Sequence, residues 1–360
     1  MNKYKIVLIF LISIMALGCT SAAYKHASWQ QNDYAVVEVF YATDRDIEDR
    51  SKVKSYFGSG RGELTYGTTN VSIPRDHKMG ELESPSIWRF EFREAAEKHV
   101  VLLDVNQLER KQYFRKLSDK INATDEKNAF IYIHGYNVTF EDAARRSAQM
   151  SYDLGFNGMP VFYSWPSYGS KTKYTFDEVN IKWSQANVKT FLTEFIEKSG
   201  ADNIYLIAHS MGNRALIRAY IDVMTSNPSL STKIKEVILA APDIDAEIFK
   251  RDIAPALANA GSPVTLYASS KDVALKASKA VHAGYPRAGD SGSNILIMPG
   301  IETIDATAVK TSFLGHSYYA NNRSVISDMF YIIHKGFRAN QRSGLKQVSH
   351  EKNQYWVFRK

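Results

Sequence analysis

Ser210 stands between an apolar run, Ile204 to Ala208, and a helical pattern that opens at Gly212; the whole string reads Ile-Tyr-Leu-Ile-Ala-His-Ser-Met-Gly-Asn-Arg-Ala-Leu. A serine placed in a sharp strand-to-helix turn has its hydroxyl lifted off the sheet, with the free N–H groups of the helix N-terminus behind it. That arrangement suits attack on a carbonyl carbon, with the helix end receiving the oxyanion. The flanking positions must be small because neighbouring backbone comes close. Gly212 satisfies this, and Ala208 adds only one methyl.

A serine hydroxyl is a poor nucleophile until a base takes its proton, and the base needs an acceptor to fix its tautomer. On a sheet carrying such an elbow the partners follow in chain order serine, acid, histidine. Of nine histidines, four lie well downstream: His282, in a helical pattern; His334, on an apolar helix; His350, in a polar tail; and His316, in the loop Leu314-Gly315-His316-Ser317 after the last strand-like segment. His316 is the expected base. Asp272, in the turn Ser-Ser-Lys-Asp after the strand Pro263 to Ser269, is the expected acid. Asp243 and Asp245 end the preceding strand and are the alternatives, although they also suit the cap of a helix starting near Ala246. The oxyanion donors expected are the N–H of Met211 and the N–H of Tyr136, in the loop His134-Gly135-Tyr136-Asn137, where Asn137 would hold the turn. His134, Asn137, Trp165, Tyr168 and His209 are the expected lining of the substrate cleft. The two histidines have no cluster of further ligands around them, so neither a metal nor an organic cofactor is expected.

These residues need a scaffold that brings strand ends to one edge. Strand-like segments at 35–42, 64–73, 99–105, 130–133, 160–165, 235–241, 263–269, 294–298 and 301–306, with that before the elbow, alternate with helical patterns from Thr139, over 176–198, after the elbow, through Ala280 and over 324–335. Thr139 with Asp142 has the spacing of a capping box. Such alternation predicts a mainly parallel sheet covered on both faces, in one domain over 34–340 followed by a polar tail, 341–360, whose end, 355–358, packs back. No long apolar insertion reads as a lid, which favours a soluble or partly water-exposed ester over bulk lipid.

With 360 residues and 44% hydrophobic content the chain can fill a large core and is no disordered segment. Lys3 and Lys5, the apolar stretch Ile6 to Leu17 and then Gly18-Cys19 have the layout of an export signal, and the stretch is short for a membrane span. Cys19 is the single cysteine, which rules out an intramolecular disulfide. Ala16-Leu17-Gly18-Cys19 resembles a bacterial lipobox, with alanine where leucine is favoured. That implies a signal over 1–18, an acylated Cys19 at the membrane, a tether over 19–33 and, with Thr20 following, an outer-membrane protein facing the periplasm. The net charge of +7 is spread along the chain with no basic block, so nucleic acid is not an expected partner.

Taken together, Tyr66-Gly67-Thr68 with Ser72-Ile73-Pro74-Arg75, His134-Gly135-Tyr136-Asn137, Tyr163-Ser164-Trp165-Pro166, Ala208 to Arg214, Ala240-Ala241-Pro242-Asp243 and Gly315-His316-Ser317-Tyr318-Tyr319 resemble the α/β-hydrolase superfamily and, within it, a bacterial family of uncharacterised serine esterase-like proteins (DUF900-like). The resemblance covers most of residues 35–335. It implies an α/β-hydrolase fold and hydrolysis of a small-molecule or lipid ester through an acyl-enzyme, with Ser210, His316 and Asp272 in the triad. An acyltransferase with the same triad, or an envelope binding lipoprotein that keeps the fold without turnover, are the alternatives.

Overall fold

The structure is a computed structural model and describes residues 27–29, 33–309, 323–350 and 353–359. The described chain starts with β1 (Ala27–Trp29), β2 (Tyr34–Ile47) and β3 (Phe57–Pro74); β2 and β3 pair antiparallel from Tyr34↔Pro74 to Thr43↔Thr65 before bulges shift the register. Short strands β4 (Val101–Leu102) and β5 (Asn106–Leu108) extend the β3 edge. The alternating part follows: α1 (Arg110–Asn122), β6 (Asn128–Ile133), α2 (Phe140–Asp153), β7 (Gly158–Ser164), α3 (Tyr174–Lys198), β8 (Asn203–His209), α4 (Gly212–Ser226), β9 (Ile234–Ala240), α5 (Ala246–Ile248), α6 (Ala254–Asn259), β10 (Val264–Ala268), α7 (Val273–Val281), β11 (Ile301–Asp305) and α8 (Arg323–Lys335). A hairpin of β12 (Leu345–His350) and β13 (Asn353–Phe358) closes the chain.

These strands join one sheet in the order β12-β13-β11-β10-β9-β8-β6-β7-β2-β3-β4, parallel from β2 through to β13. Strand side chains alternate between two cores. Ile204, Leu206 and Ala208 of β8, with Ala129, Ile131 and Ile133 of β6, face the helices α1, α3, α4 and α6; Tyr205, Ile207, Phe130 and Tyr132 face α2 and α8. A strand buried on both sides is apolar at most positions, which is why β6 to β10 are short and largely hydrophobic; buried Glu236 of β9 is paired with Thr265 of β10, whose hydroxyl donates to it at 2.7 Å. At the start of α2, Thr139 Oγ1 accepts the Asp142 N–H at 3.1 Å and Asp142 Oδ2 accepts the Thr139 N–H at 3.3 Å, closing the capping box.

Three expectations are corrected. Asn294 to Met298 is not a strand: a 3-10 turn over Gly292–Asn294 leads into extended backbone, and β11 takes the place in the sheet beside β10. Residues 341–360 are not a tail outside the domain, because β13 pairs in parallel with β11 and carries β12, with Leu345 and Phe358 buried. The helix α1 was not anticipated, although Tyr113, Phe114, Leu117 and Ile121 supply an inner face at helical spacing. Cys19 and His316 lie outside the described residues. Among the described residues no helix is long and apolar enough to cross a membrane.

Candidate active site

Parallel register brings the C-terminal ends of β6 to β11 to one edge: Ile133 pairs with Tyr163 and Ala208, His209 with Ala240, Ala240 with Tyr267, and Ala268 with Asp305. Ser210 is the first residue past β8 and has φ +49°, a left-handed conformation disfavoured for a residue with a side chain. It is fastened on three sides. Its N–H donates to Ala240 O at 2.9 Å, and its own carbonyl accepts from Asn213 N at 3.2 Å, Asn213 Nδ2 at 2.9 Å and Asp243 N at 3.2 Å. Asn213 Nδ2 also reaches Ala240 O at 3.2 Å, so one buried amide ties the elbow to β9. Ser210 Oγ is buried and has no hydrogen-bond partner among the described residues. A strained residue persists only where its surroundings over-determine it, as these bonds do here.

Met211 is the N-cap of α4, so its amide stands at the positive end of that helix's dipole. Gly212 follows because a Cβ there would lie 2.4 Å from His134 O and 2.7 Å from Ile133 O. Across the gap, a Cβ on Gly135 would lie 2.8 Å from His209 Nδ1 and 3.0 Å from Ser210 Cβ, so the loop holding Tyr136 runs directly against the serine. The loop's shape depends on two residues that the sequence reading missed. Buried Arg45 donates through Nε to Ser164 Oγ at 2.8 Å, through Nη1 to Gly58 O and Ser167 O, each at 2.9 Å, and through Nη2 to Val138 O at 2.8 Å. Burial pulls its pKa down to about 10, which leaves it charged at neutral pH. Asp177, near the start of α3, accepts from Asn137 N at 3.2 Å, Ser167 Oγ at 2.6 Å and Tyr168 N at 2.9 Å, and burial raises its pKa. Neither residue carries a sequence signal, because their partners are backbone and hydroxyl groups in other segments, from 9 to 122 positions away.

The expected lining divides. Trp165 and His134 are corrected: both are fully buried behind the loop, stacked with ring centres 5.1 Å apart, and Trp165 Nε1 donates to His134 O at 2.8 Å. Burial, with the charge of Arg45, holds the His134 pKa well below its ordinary value. The neutral ring places Nδ1 against Gly135 O at 2.8 Å, so that nitrogen carries the proton and Nε2 accepts from Ser164 Oγ at 3.1 Å. His209 is buried at the end of β8. Asn137 is nearly buried at φ +59°, and Tyr136 turns its hydroxyl to Lys171 O. Tyr168 is exposed and, with Arg61, Phe176, Val179 and Asn180, lines a cavity of about 630 Å³.

Asp272 is buried at the N-cap of α7, where Oδ1 accepts Leu275 N–H at 3.0 Å; burial raises its pKa, and the charges of Asp243 and Asp290 add to this. Asp243 is engaged through both oxygens, by Tyr174 Oη at 2.5 Å on one and Ser278 Oγ at 2.5 Å on the other, with Arg214 Nη2 at 3.4 Å. Asp245 caps α5 by accepting Glu247 N and Ile248 N, so its oxygen is committed to backbone. No group of three or more His, Cys, Asp or Glu side chains among the described residues is placed to hold a metal ion.

A parallel sheet with helices on both faces and a left-handed serine between a central strand and its helix define an α/β-hydrolase fold. Over residues 109–334 the chain matches the family described as "Alpha/beta hydrolase of unknown function (DUF900)", and it belongs to that family. No curated protein matches. Solved structures it resembles include a fungal esterase from Rhizomucor miehei (12% identity, 83% of each chain, TM-score 0.37) and a thermostable esterase from Pseudomonas putida (12%, 87% of this chain and 85% of that one, TM-score 0.35). A third is an esterase of the archaeon Pyrobaculum calidifontis (10%, 83% and 82%, TM-score 0.34). At such values the chain is similar to them without inheriting their activities.

Proposed function

We propose that the protein is a serine hydrolase cleaving carboxylic esters through an acyl-enzyme, held at the bacterial cell envelope by an acylated Cys19. The observation that carries the reading is Ser210: a non-glycine residue at φ +49° whose buried Oγ is left without a partner among the described residues, directly before a helix N-terminus. In this reading Ser210 Oγ attacks the carbonyl carbon and passes its proton to His316. The amides of Met211 and Tyr136 hold the oxyanion, and the leaving alcohol takes the proton from His316. Water then repeats the sequence to free the acid. Asp272 orients His316; the saturation of Asp243 by Tyr174 and Ser278 favours this choice. An exported protein anchored at the outer membrane and facing the periplasm agrees with the signal-like N-terminus.

Labelling the full chain with a fluorophosphonate and mapping the adduct tests the reading. One adduct on Ser210, lost in Ser210→Ala and His316→Ala, is expected. A folded wild-type protein that takes no label would replace it with a binding lipoprotein. The mass of the N-terminal peptide tests the anchor separately.

A further inference from the structure

Between β3 and β4 the chain makes an excursion in which polar and apolar side chains have exchanged their usual places. Ile87, Trp88, Phe90 and Phe92 stand 77%, 94%, 83% and 77% exposed. Glu91 turns the other way and gathers the loop: its carboxylate accepts Ser86 N at 3.1 Å and Arg89 Nε at 2.9 Å and lies 3.2 Å from Nε2 of buried His99. His99 Nδ1 in turn accepts Ala95 N at 3.0 Å, and Arg89 Nη2 reaches Ser84 O at 2.7 Å. The base is clamped to α2 by Arg145, which bonds Val100 O at 2.7 Å and Ser84 Oγ at 2.5 Å, and the far limb is pinned by Lys54 to Glu94 at 2.6 Å. A loop held by polar groups inside itself keeps four large apolar side chains outside by construction. Single exposed hydrophobic residues are ordinary; four large ones within six residues are not.

We infer that the loop Ser86–Arg93 is an interfacial anchor that inserts its aromatic tip into a lipid bilayer. The inference rests on the proposed acylation of Cys19, which decides the occupant. From Cys19 to Ala27 is about eight residues, a reach of at most about 28 Å, so an acylated chain holds the domain within that distance of the membrane surface. Asp33, directly before β2, meets the start of the excursion: its carbonyl accepts Arg75 N at 3.2 Å and its carboxylate pairs with the Arg75 guanidinium at 3.0 Å. Trp and Phe interleaved with exposed Arg89 and Arg93 is the composition of an interfacial segment, with rings at the acyl boundary and guanidinium groups among headgroups. Lys54, which holds the loop, also lies 3.9 Å from Glu141 in the first turn of α2, and α2 starts just past the Tyr136 loop.

The test is emission from Trp88 in the full, acylated chain reconstituted into vesicles of phosphatidylethanolamine and phosphatidylglycerol, with and without lipids brominated along the acyl chain. The signal is the difference between wild type and Trp88→Phe, because the chain has five tryptophans. Bromolipid should quench most of that difference signal, and Phe90→Asp with Phe92→Asp should abolish the quenching while Ser210 still takes a fluorophosphonate. Vesicle-bound protein whose Trp88 is quenched by aqueous iodide and not by bromolipid overturns the inference. So does a Trp88 shielded from both, which would put another segment or a second copy on the loop. A chain that does not co-float with vesicles fails the anchor reading instead, and the two failures are therefore distinct.

Discussion

At the scale of single residues, the site contains two buried aspartates that differ in what they hold. Asp243 joins α3, α4 and α7 through Tyr174, Arg214 and Ser278, and its amide supports the elbow. Asp272 caps only its own helix and is buried where its raised pKa marks a carboxylate poor in compensation. Replacing the acid of a triad by its amide removes the acceptor that selects the histidine tautomer. Asp272→Asn should therefore lower kcat for an activated ester by about 10² to 10⁴ with little change in thermal midpoint. Asp243→Asn should lower the midpoint first, because it disturbs a buried network. The reverse pattern in kcat would move the acid to Asp243. In the sequence both aspartates follow strands, and topology alone ranks Asp272 as the expected acid above Asp243.

At the scale of elements, the elbow works because α4 starts against the end of β6 with no room for a side chain. In Gly212→Ala the methyl must displace backbone oxygens at 2.4 and 2.7 Å, which cannot rotate away. A loss of about 2 kcal/mol in denaturant unfolding is expected, with kcat falling as Met211 shifts. Unchanged stability would mean that the two elements are not so closely apposed. A second contact between elements is sensitive to pH. His77, at the start of the excursion, lies 2.8 Å from both Asp153 at the end of α2 and Glu83, with a nearly buried ring. Burial works against its charge, but the two carboxylates outweigh it and raise its pKa from 6.5 to about 9. A folded pKa above the unfolded one gives stability that is complete below about pH 6.5 and is lost as pH rises through about 9, up to about 3 kcal/mol in all. His77→Gln should thus be clearly less stable than wild type at pH 6, with the gap closing by pH 10. A gap independent of pH would show that the ring is held neutral.

At the scale of the whole molecule, the C-terminal hairpin is bound to the catalytic sheet by charge as well as by pairing. Arg342, fully buried, places Nη1 2.7 Å from Asp328 on α8 and Nη2 2.7 Å from Glu302 on β11, while Tyr267 of β10 donates to Asp328 at 2.6 Å. Removing one partner of a buried pair strands the other's charge. Arg342→Ala should cost about 3 to 5 kcal/mol in global unfolding and reduce ester turnover only through loss of folded protein. A mild effect would show that the hairpin docks as an independent unit. The composition of 341–360 reads as a polar tail of which only the end, 355–358, packs back; an edge strand needs only one buried face, so its apolar signal is weak.

What the sequence determines by itself is local and periodic. The apolar runs of β6 to β10, the capping box at Thr139, the small residues around Ser210 and the helix α8 are legible because each follows from spacing within one segment. The amphipathic spacing in α1 is equally legible, while 294–298 has a strand's composition but lies where β11 already fills the sheet. Tertiary structure alone decided that Trp165 and His134 stack in the interior, that Arg45 and Asp177 hold the backbone around Asn137 and Ser167, and that Asp243 is saturated. It also decided that Ile87, Trp88, Phe90 and Phe92 face outward. These are pairings between distant segments, and whether a residue is buried, charged or available depends on which backbone and which counter-charge the completed sheet sets beside it.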